Sequence, residues 1–303
     1  MRLNITPQYP QSSRPGKLVK TLLGTLFLAT SVAACHRADN VKVAPVTPSL
    51  SAPNPEQVTP IVNGQEIRKR SSLSRSVVAI VSDRNEGQAL CTGTLITQDA
   101  VLTAAHCVDE DPHSIRIGFS NNLKDGRGQI FRDVTHFSQH PKWKSHPDTG
   151  LGDVAILMFA GGVPDGFEVA TLAPKTVELA VGTQVFFLGY GVTNGTTHEG
   201  AGVLRETTSQ VTKVVSSTQV QTDGQEASVC FGDSGGPAFV FWNKQWVQWG
   251  IASSVLTEAC NSASVHTTVM NYVPWMNRTL DKMRAEYSTS QNIPMGFISS
   301  LEE

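Results

Sequence analysis

The sequence predicts an all-β protein with sandwich or barrel closure. Short runs rich in Val, Ile and Thr recur between turn residues, at 77–81, 89–97, 101–104, 115–118 and 129–135. The 303-residue chain carries 25 Gly and 16 Pro, enough turn formers to separate many short strands. Only one late segment reads as helix: Pro274 stands near its start, and Trp275, Met276, Leu280 and Met283 follow at three-to-four spacing.

From the beginning, residues 1–34 have the pattern of an export signal. Arg14, Lys17 and Lys20 form a basic region, and 22–34 is a thirteen-residue apolar stretch. That is short of the roughly 20 residues a membrane-spanning helix needs. The stretch ends Val32-Ala33-Ala34-Cys35, which resembles a bacterial lipobox. The resemblance implies a lipidated Cys35 as mature N-terminus, and His36 after it points to the outer membrane of the cell envelope. An ordinary signal peptide cut near Ala34 is the alternative. Residues 36–60 contain Pro45, Pro48, Pro53, Pro55 and Pro60 among Ser, Thr, Val and Asn. Such a segment buries too little surface to fold and is expected to be an extended tether or propeptide.

Net charge is −2 with 17% charged residues, and no basic run interleaves with aromatics, which argues against a nucleic-acid partner. Five cysteines are present. Lipidation of Cys35 leaves Cys91, Cys107, Cys230 and Cys260 for two bridges in an oxidising compartment, and spacing permits three pairings. No CxxC spacing is present, and no metal site is expected.

The most informative stretch is Cys230-Phe231-Gly232-Asp233-Ser234-Gly235-Gly236-Pro237. Gly232 and Gly235 allow backbone conformations that a Cβ would forbid, so N–H groups around Ser234 can converge on one point. Upstream, Thr103-Ala104-Ala105-His106-Cys107 closes an apolar run with an imidazole, and Asp153 opens the apolar run Val154-Ala155-Ile156-Leu157-Met158. Asp148 is the competing carboxylate, but no strand follows it. The other seven histidines, among them His113, His136, His140 and His146, read as surface residues.

These motifs resemble those of chymotrypsin-like serine proteases, in the chain order His106, Asp153, Ser234. The likeness covers roughly residues 61–283 and includes His140-Pro141-Lys142-Trp143 and Phe187-Leu188-Gly189-Tyr190-Gly191. It implies two six-stranded antiparallel β-barrels with a C-terminal helix over 61–286, followed by a tail at 287–303. It selects the pairings Cys91–Cys107 and Cys230–Cys260. It further implies that His106 is the general base, Asp153 its orienting acid and Ser234 the nucleophile, with the oxyanion held by the N–H groups of Gly232 and Ser234. Neither metal nor cofactor is expected, the substrates are proteins or peptides, and a monomer is expected.

Ile61-Val62-Asn63-Gly64 resembles the start of mature enzymes of this kind. The resemblance implies that cleavage would free an amino group on Ile61 to pair with Asp233. Pro60 stands where a basic residue is usual, which argues against self-activation by a trypsin-like cut. Because Cys35 precedes Ile61, cleavage there would also release the domain from a lipid anchor. By the same resemblance Ser228, six residues before Ser234, floors the specificity pocket, with Val255 and Ser264 on its walls. Without a carboxylate at the floor, basic side chains are disfavoured and small or medium apolar ones expected. Ser254 stands where the family usually has Trp. A catalytically idle homologue acting as a binding module and an enzyme acting chiefly on esters are the alternatives.

Overall fold

The computed structural model describes residues 61, 64–109, 112–126, 128–145 and 149–290. Strand β2 (Val77–Arg84) shows why this chain forms barrels rather than an open, half-solvated sheet. Its first six residues are all buried. Val78 and Ile80 point into one core, whereas Val77, Ala79 and Val81 point into another shared with Leu188, Tyr190 and Leu204. A strand with protein on both faces loses the alternation of apolar and polar residues, hence the continuous apolar run.

The first barrel closes β2 with β3 (Gly87–Thr97), β4 (Ala100–Thr103), β7 (Ala155–Phe159), β6 (Ile130–Gln139) and β5 (Ser114–Phe119), in that order around the ring. The second runs β8 (Gln184–Gly189), β9 (Arg205–Ser216), β10 (Gln219–Thr222), β13 (Ser264–Thr268), β12 (Gln245–Val255) and β11 (Pro237–Trp242), returning to β8. A two-residue strand, β1 (Gln65–Glu66), pairs with the outer edge of β9. Both rings are six-stranded and antiparallel, in agreement with the fold expected from the sequence. The apolar runs at 77–81, 89–97, 101–104, 115–118 and 129–135 fall in β2 to β6.

Each barrel has its own interior, and a third cluster fills the seam between them. Leu95, Leu102, Ile117 and Leu157 fill the first barrel. Val185, Phe187, Val211, Val247 and Trp249 fill the second. Helix α2 (Val273–Ser290) packs on β6 and β7, burying Met276, Leu280 and Met283. The Arg284 guanidinium clamps it there by donating to both oxygens of Asp99, at 3.0 and 2.8 Å. The helix runs past 286, where a tail had been expected, because Tyr287 extends the apolar stripe and meets His136 edge-on at 5.9 Å. His140-Pro141-Lys142-Trp143 leads into a single helical turn, α1 (Pro141–Ser145).

Candidate active site

The register of β4 on β7 pairs Thr103 with Ala155, so the chain leaving β4 and the chain entering β7 meet at one end of the first barrel. His106 lies in the 3-10 turn 105–108 just beyond β4, and Asp153 lies two residues before β7. The His106 backbone N–H donates to Asp153 Oδ1 at 3.0 Å, and the imidazole Nδ1 lies 2.9 Å from Oδ2. Ser253, on β12 of the other barrel, donates its hydroxyl to the same Oδ2 at 2.6 Å.

Burial disfavours charge on both partners, yet each favours the charged form of the other. The carboxylate holds the His106 pKa above the ordinary value of 6.5, helped by Asp109 and opposed by Arg84. The imidazole, the Ser253 hydroxyl and the His106 N–H in turn hold Asp153 below the ordinary carboxylate range. Asp153 is 1% exposed and the imidazole 26%, so the pair is anchored inside and open at its outer edge.

Disulfide Cys91–Cys107 ties the turn that carries His106 to β3, and Cys230–Cys260 secures the start of the serine loop. Their separations of 16 and 30 residues correspond to about 3–4 kcal/mol each on a loop-closure view. The sulfurs of Cys91 and Cys107 lie within 4.8 Å of an imidazole nitrogen of His106. Sulfur already bonded to sulfur offers no thiolate, so this cluster is not a metal centre.

The loop bearing Ser234 is fastened to the first barrel through Thr92. Its N–H donates to the Ser234 carbonyl at 2.8 Å, and its hydroxyl donates to the Gly232 carbonyl at 2.8 Å while accepting the Tyr190 N–H at 3.0 Å. Two glycines make the path possible. Gly232 sits at φ +94°, where side chains are strained. At Gly235, φ is +81°, and a Cβ would lie 1.9 Å from the Thr103 hydroxyl.

The loop thus passes beside the imidazole turn, with the Ser234 carbonyl 3.6 Å from Cys107 Sγ. Among the described residues, the N–H groups of Asp233, Gly235 and Gly236 all find backbone acceptors. Those of Gly232 and Ser234 have none there, and no hydrogen bond joins the Ser234 hydroxyl to His106.

Asp233, 1% exposed, accepts the Gly191 N–H and the Cys230 N–H, both at 2.8 Å. Burial nevertheless pushes its pKa up to about 7, with the two N–H groups and the charge of Arg205 pulling the other way. Ile61 is fully buried and its carbonyl accepts the Gly64 N–H at 2.9 Å. Among the described residues no hydrogen bond or ion pair joins Ile61 to Asp233.

Behind the serine loop, the Ser228 hydroxyl donates to the Val229 carbonyl at 2.9 Å and lies 2.9 Å from the Ser264 hydroxyl. With its one proton spent, Ser228 accepts from Ser264. Val255 pairs with Ser264 across β12 and β13, so the three residues assigned to a pocket share one corner of the second barrel. Two residues farther along β13, His266 corrects the expectation that the remaining histidines are on the surface. It is fully buried, stacked on Phe187 at 4.6 Å and edge-on to Trp249 at 5.6 Å, with Nε2 3.0 Å from the Thr222 hydroxyl. Burial lowers its pKa to about 3 and keeps it neutral. His140 is half-buried between Tyr272 and Trp275. Asp148, His146, Pro60 and Cys35 lie outside the described residues.

Ser253 and Thr92 were missed by sequence reasoning. Ser253 had a faint signal, as the residue directly before the Ser254 and Val255 positions aligned with the pocket wall. Thr92 had none, since a Thr beside a Cys in an apolar strand reads as packing.

Paired barrels with an imidazole–carboxylate couple on one and a Gly-Asp-Ser-Gly-Gly loop fastened beside it define the two-barrel serine-protease class. The sequence model of the trypsin family matches residues 61–276, and the chain belongs to that family. Among curated relatives, chymotrypsin-like elastase family member 1 of Macaca fascicularis is 29% identical over 246 residues, spanning 75% of this chain and 91% of the relative. Human granzyme M is 28% identical over 239 residues, 73% and 89% of the two chains. A chymotrypsin of Phaedon cochleariae is 28% identical over 290 residues, 89% and 99% of the two chains.

Proposed function

We propose that this protein is a serine endopeptidase in which His106, Asp153 and Ser234 act together. The observation that carries the reading is the doubly bonded His106–Asp153 couple beside the fastened Ser234 loop. Asp153 fixes the tautomer that leaves Nε2 free to accept a proton. His106 takes the Ser234 proton as the hydroxyl attacks a peptide carbonyl, and Asp153 stabilises the imidazolium. Gly232 and Ser234 N–H groups, without protein acceptors among the described residues, hold the developing oxyanion. The imidazolium then protonates the leaving amine, and water releases the acyl group by the same steps in reverse order. Catalytic hydrogen bonds to the nucleophile commonly tighten only when substrate is bound, so the absent Ser234–His106 bond is compatible with this scheme.

Primary specificity is for small or medium apolar side chains. The paired Ser228 and Ser264 hydroxyls leave no carboxylate to meet a basic side chain, and Val255 narrows the walls. Similarity to a relative named as an elastase supports this reading. Cleavage before Ile61 would supply a cation for Asp233 and order the oxyanion loop. Residues 1–34 are an export signal, Cys35 a lipidation site and 36–60 a tether, so the uncleaved form is anchored at the cell envelope and cleavage releases it. This last assignment rests on the sequence. Among the described residues no helix is long and apolar enough to cross a membrane.

The test is to label the mature protein with a fluorophosphonate, map the adduct, and read cleavage preference from a peptide library. The reading expects modification of Ser234 alone and cleavage after Ala or Val. An unlabelled protein that still binds ligands would replace it with the idle-homologue reading. Strong cleavage after Arg or Lys would remove the pocket assignment.

A further inference from the structure

A second carboxylate stands beside the imidazole that the scheme above leaves without a role. Asp109 lies three residues after His106, just beyond the same 3-10 turn. Both of its oxygens accept the indole N–H of Trp143, at 3.0 Å each. One also accepts the side-chain amide of Gln139 at 2.5 Å, and that amide simultaneously donates to the carbonyl of Ala105 at 2.9 Å. Ala105 is the residue directly before His106. The Trp143 ring lies 6.2 Å from the imidazole, centroid to centroid, at 51°. One carboxylate therefore fastens the indole on one flank of the imidazole and, through Gln139, the backbone that carries the imidazole.

We propose that Asp109 is a positioning residue for the His106–Asp153 couple, holding Trp143 alongside the imidazole and bracing Ala105 through Gln139. This rests on the reading of His106 as general base. Several facts make the arrangement more than packing. Asp109 closes the 3-10 turn through its backbone N–H, which donates to the His106 carbonyl, and that cap leaves its carboxylate unaccounted for. Its carboxylate gathers donors from two separate segments, β6 through Gln139 and α1 through Trp143, and ties both to the His106 turn. An indole N–H bound to both oxygens is fixed in rotation, so the ring face presented to the cleft is fixed too. Asp109 is also a charge facing the imidazole. The charged groups acting on His106 are Asp153, which supports the imidazolium most strongly, Asp109, which adds to that support, and Arg84, which opposes it. Asp109 thus joins a mechanical and an electrostatic effect, and the two separate on substitution.

Asp109→Asn keeps an oxygen for the indole and removes the charge. Asp109→Ala removes both, and Trp143→Phe removes the N–H while keeping most of the ring. The experiment measures kcat and KM across pH for the full mature enzyme and these three variants, with thermal unfolding alongside. In Asp109→Asn we expect kcat near the parent value at high pH and an acid limb of kcat/KM displaced to lower pH, because one negative charge facing His106 has gone. In Asp109→Ala we expect the same displacement plus a loss of about tenfold in kcat, smaller than the roughly 10²-fold that a 1 Å misplacement can cost. Trp143→Phe should reproduce the kcat loss without moving the acid limb. A structural role alone predicts lower melting temperatures with unchanged kcat and unchanged pH limbs, and that result would overturn the proposal. An Asp109→Asn limb superposed on the parent curve would overturn its electrostatic half. If the parent enzyme fails to take a fluorophosphonate at Ser234, the function reading has failed instead, and the two failures are distinguishable.

Discussion

Asp153 and Asp233 are buried to the same depth, one in each half of the site, and their environments push them in opposite directions. Around Asp153, an imidazole, a backbone N–H and a serine hydroxyl all favour the carboxylate, and its pKa falls below the usual range. Around Asp233 only two backbone N–H groups and the charge of Arg205 oppose burial, and the pKa rises to about 7. The same side chain is a finished component in one place and an unmet demand in the other. The His106 half already holds its partners, whereas among the described residues no cation is paired directly with Asp233 in the half proposed to hold the oxyanion. A free amino group on Ile61 is the proposed one.

The largest expected effect comes from breaking the finished half. Asp153→Asn removes the charge that fixes the imidazole tautomer, and kcat on a peptide substrate should fall by about 10⁴-fold with little change in fold. A loss under tenfold would show that the couple does not drive the chemistry.

Asp233→Asn sharpens the contrast, because its sign should depend on cleavage. In the uncleaved chain a carboxyl whose folded pKa is raised from 3.8 to about 7 contributes stability that is complete below pH 3.8 and lost as pH rises through 7. The loss is on the order of 4 kcal/mol. The amide should therefore raise the melting temperature of the uncleaved protein at pH 8. In the Ile61-started protein the same change leaves the amino group unpaired. Activity should drop by about 10²-fold as oxyanion donors are misplaced. Equal effects on both forms would dissolve the distinction.

His266 supplies the opposite slope. A histidine whose folded pKa is lowered from 6.5 to about 3 contributes stability that is complete above pH 6.5 and lost as pH falls toward 3. Replacing it with Phe should flatten the acid-side decline of ΔG in denaturant titrations by a few kcal/mol, to order of magnitude. A decline unchanged in that variant would show that other groups carry it. The smallest effect is expected from Ser253→Ala. It withdraws one of the three hydrogen-bonding contacts on Asp153 and should lower kcat/KM about threefold to tenfold, as expected for one net hydrogen bond.

How legible the molecule was in its sequence follows the same physics. β2 to β6 could be read because buried strands leave continuous apolar runs. His106, Asp153 and the serine loop could be read because each sits inside an extended motif. Ser253 was hidden, since a hydroxyl that reaches across the seam between barrels is an ordinary strand residue in one dimension. His266 misled for a related reason. Ser264, His266 and Thr268 alternate with Val265 and Thr267, and a strand so polar looks solvated, although stacking on Phe187 and a bond to Thr222 bury it. The end of α2 was available but overlooked, because Tyr287 continues the spacing of Met276, Leu280 and Met283.

The central claim is that the site is half built until an amino group on Ile61 meets Asp233. The most direct measurement compares the rate of fluorophosphonate capture by Ser234 in the uncleaved protein and in protein beginning at Ile61. The account predicts capture at Ser234 in both, faster by about 10²-fold or more in the Ile61-started form. Equal rates in the two forms, or an adduct on any other residue, would contradict it.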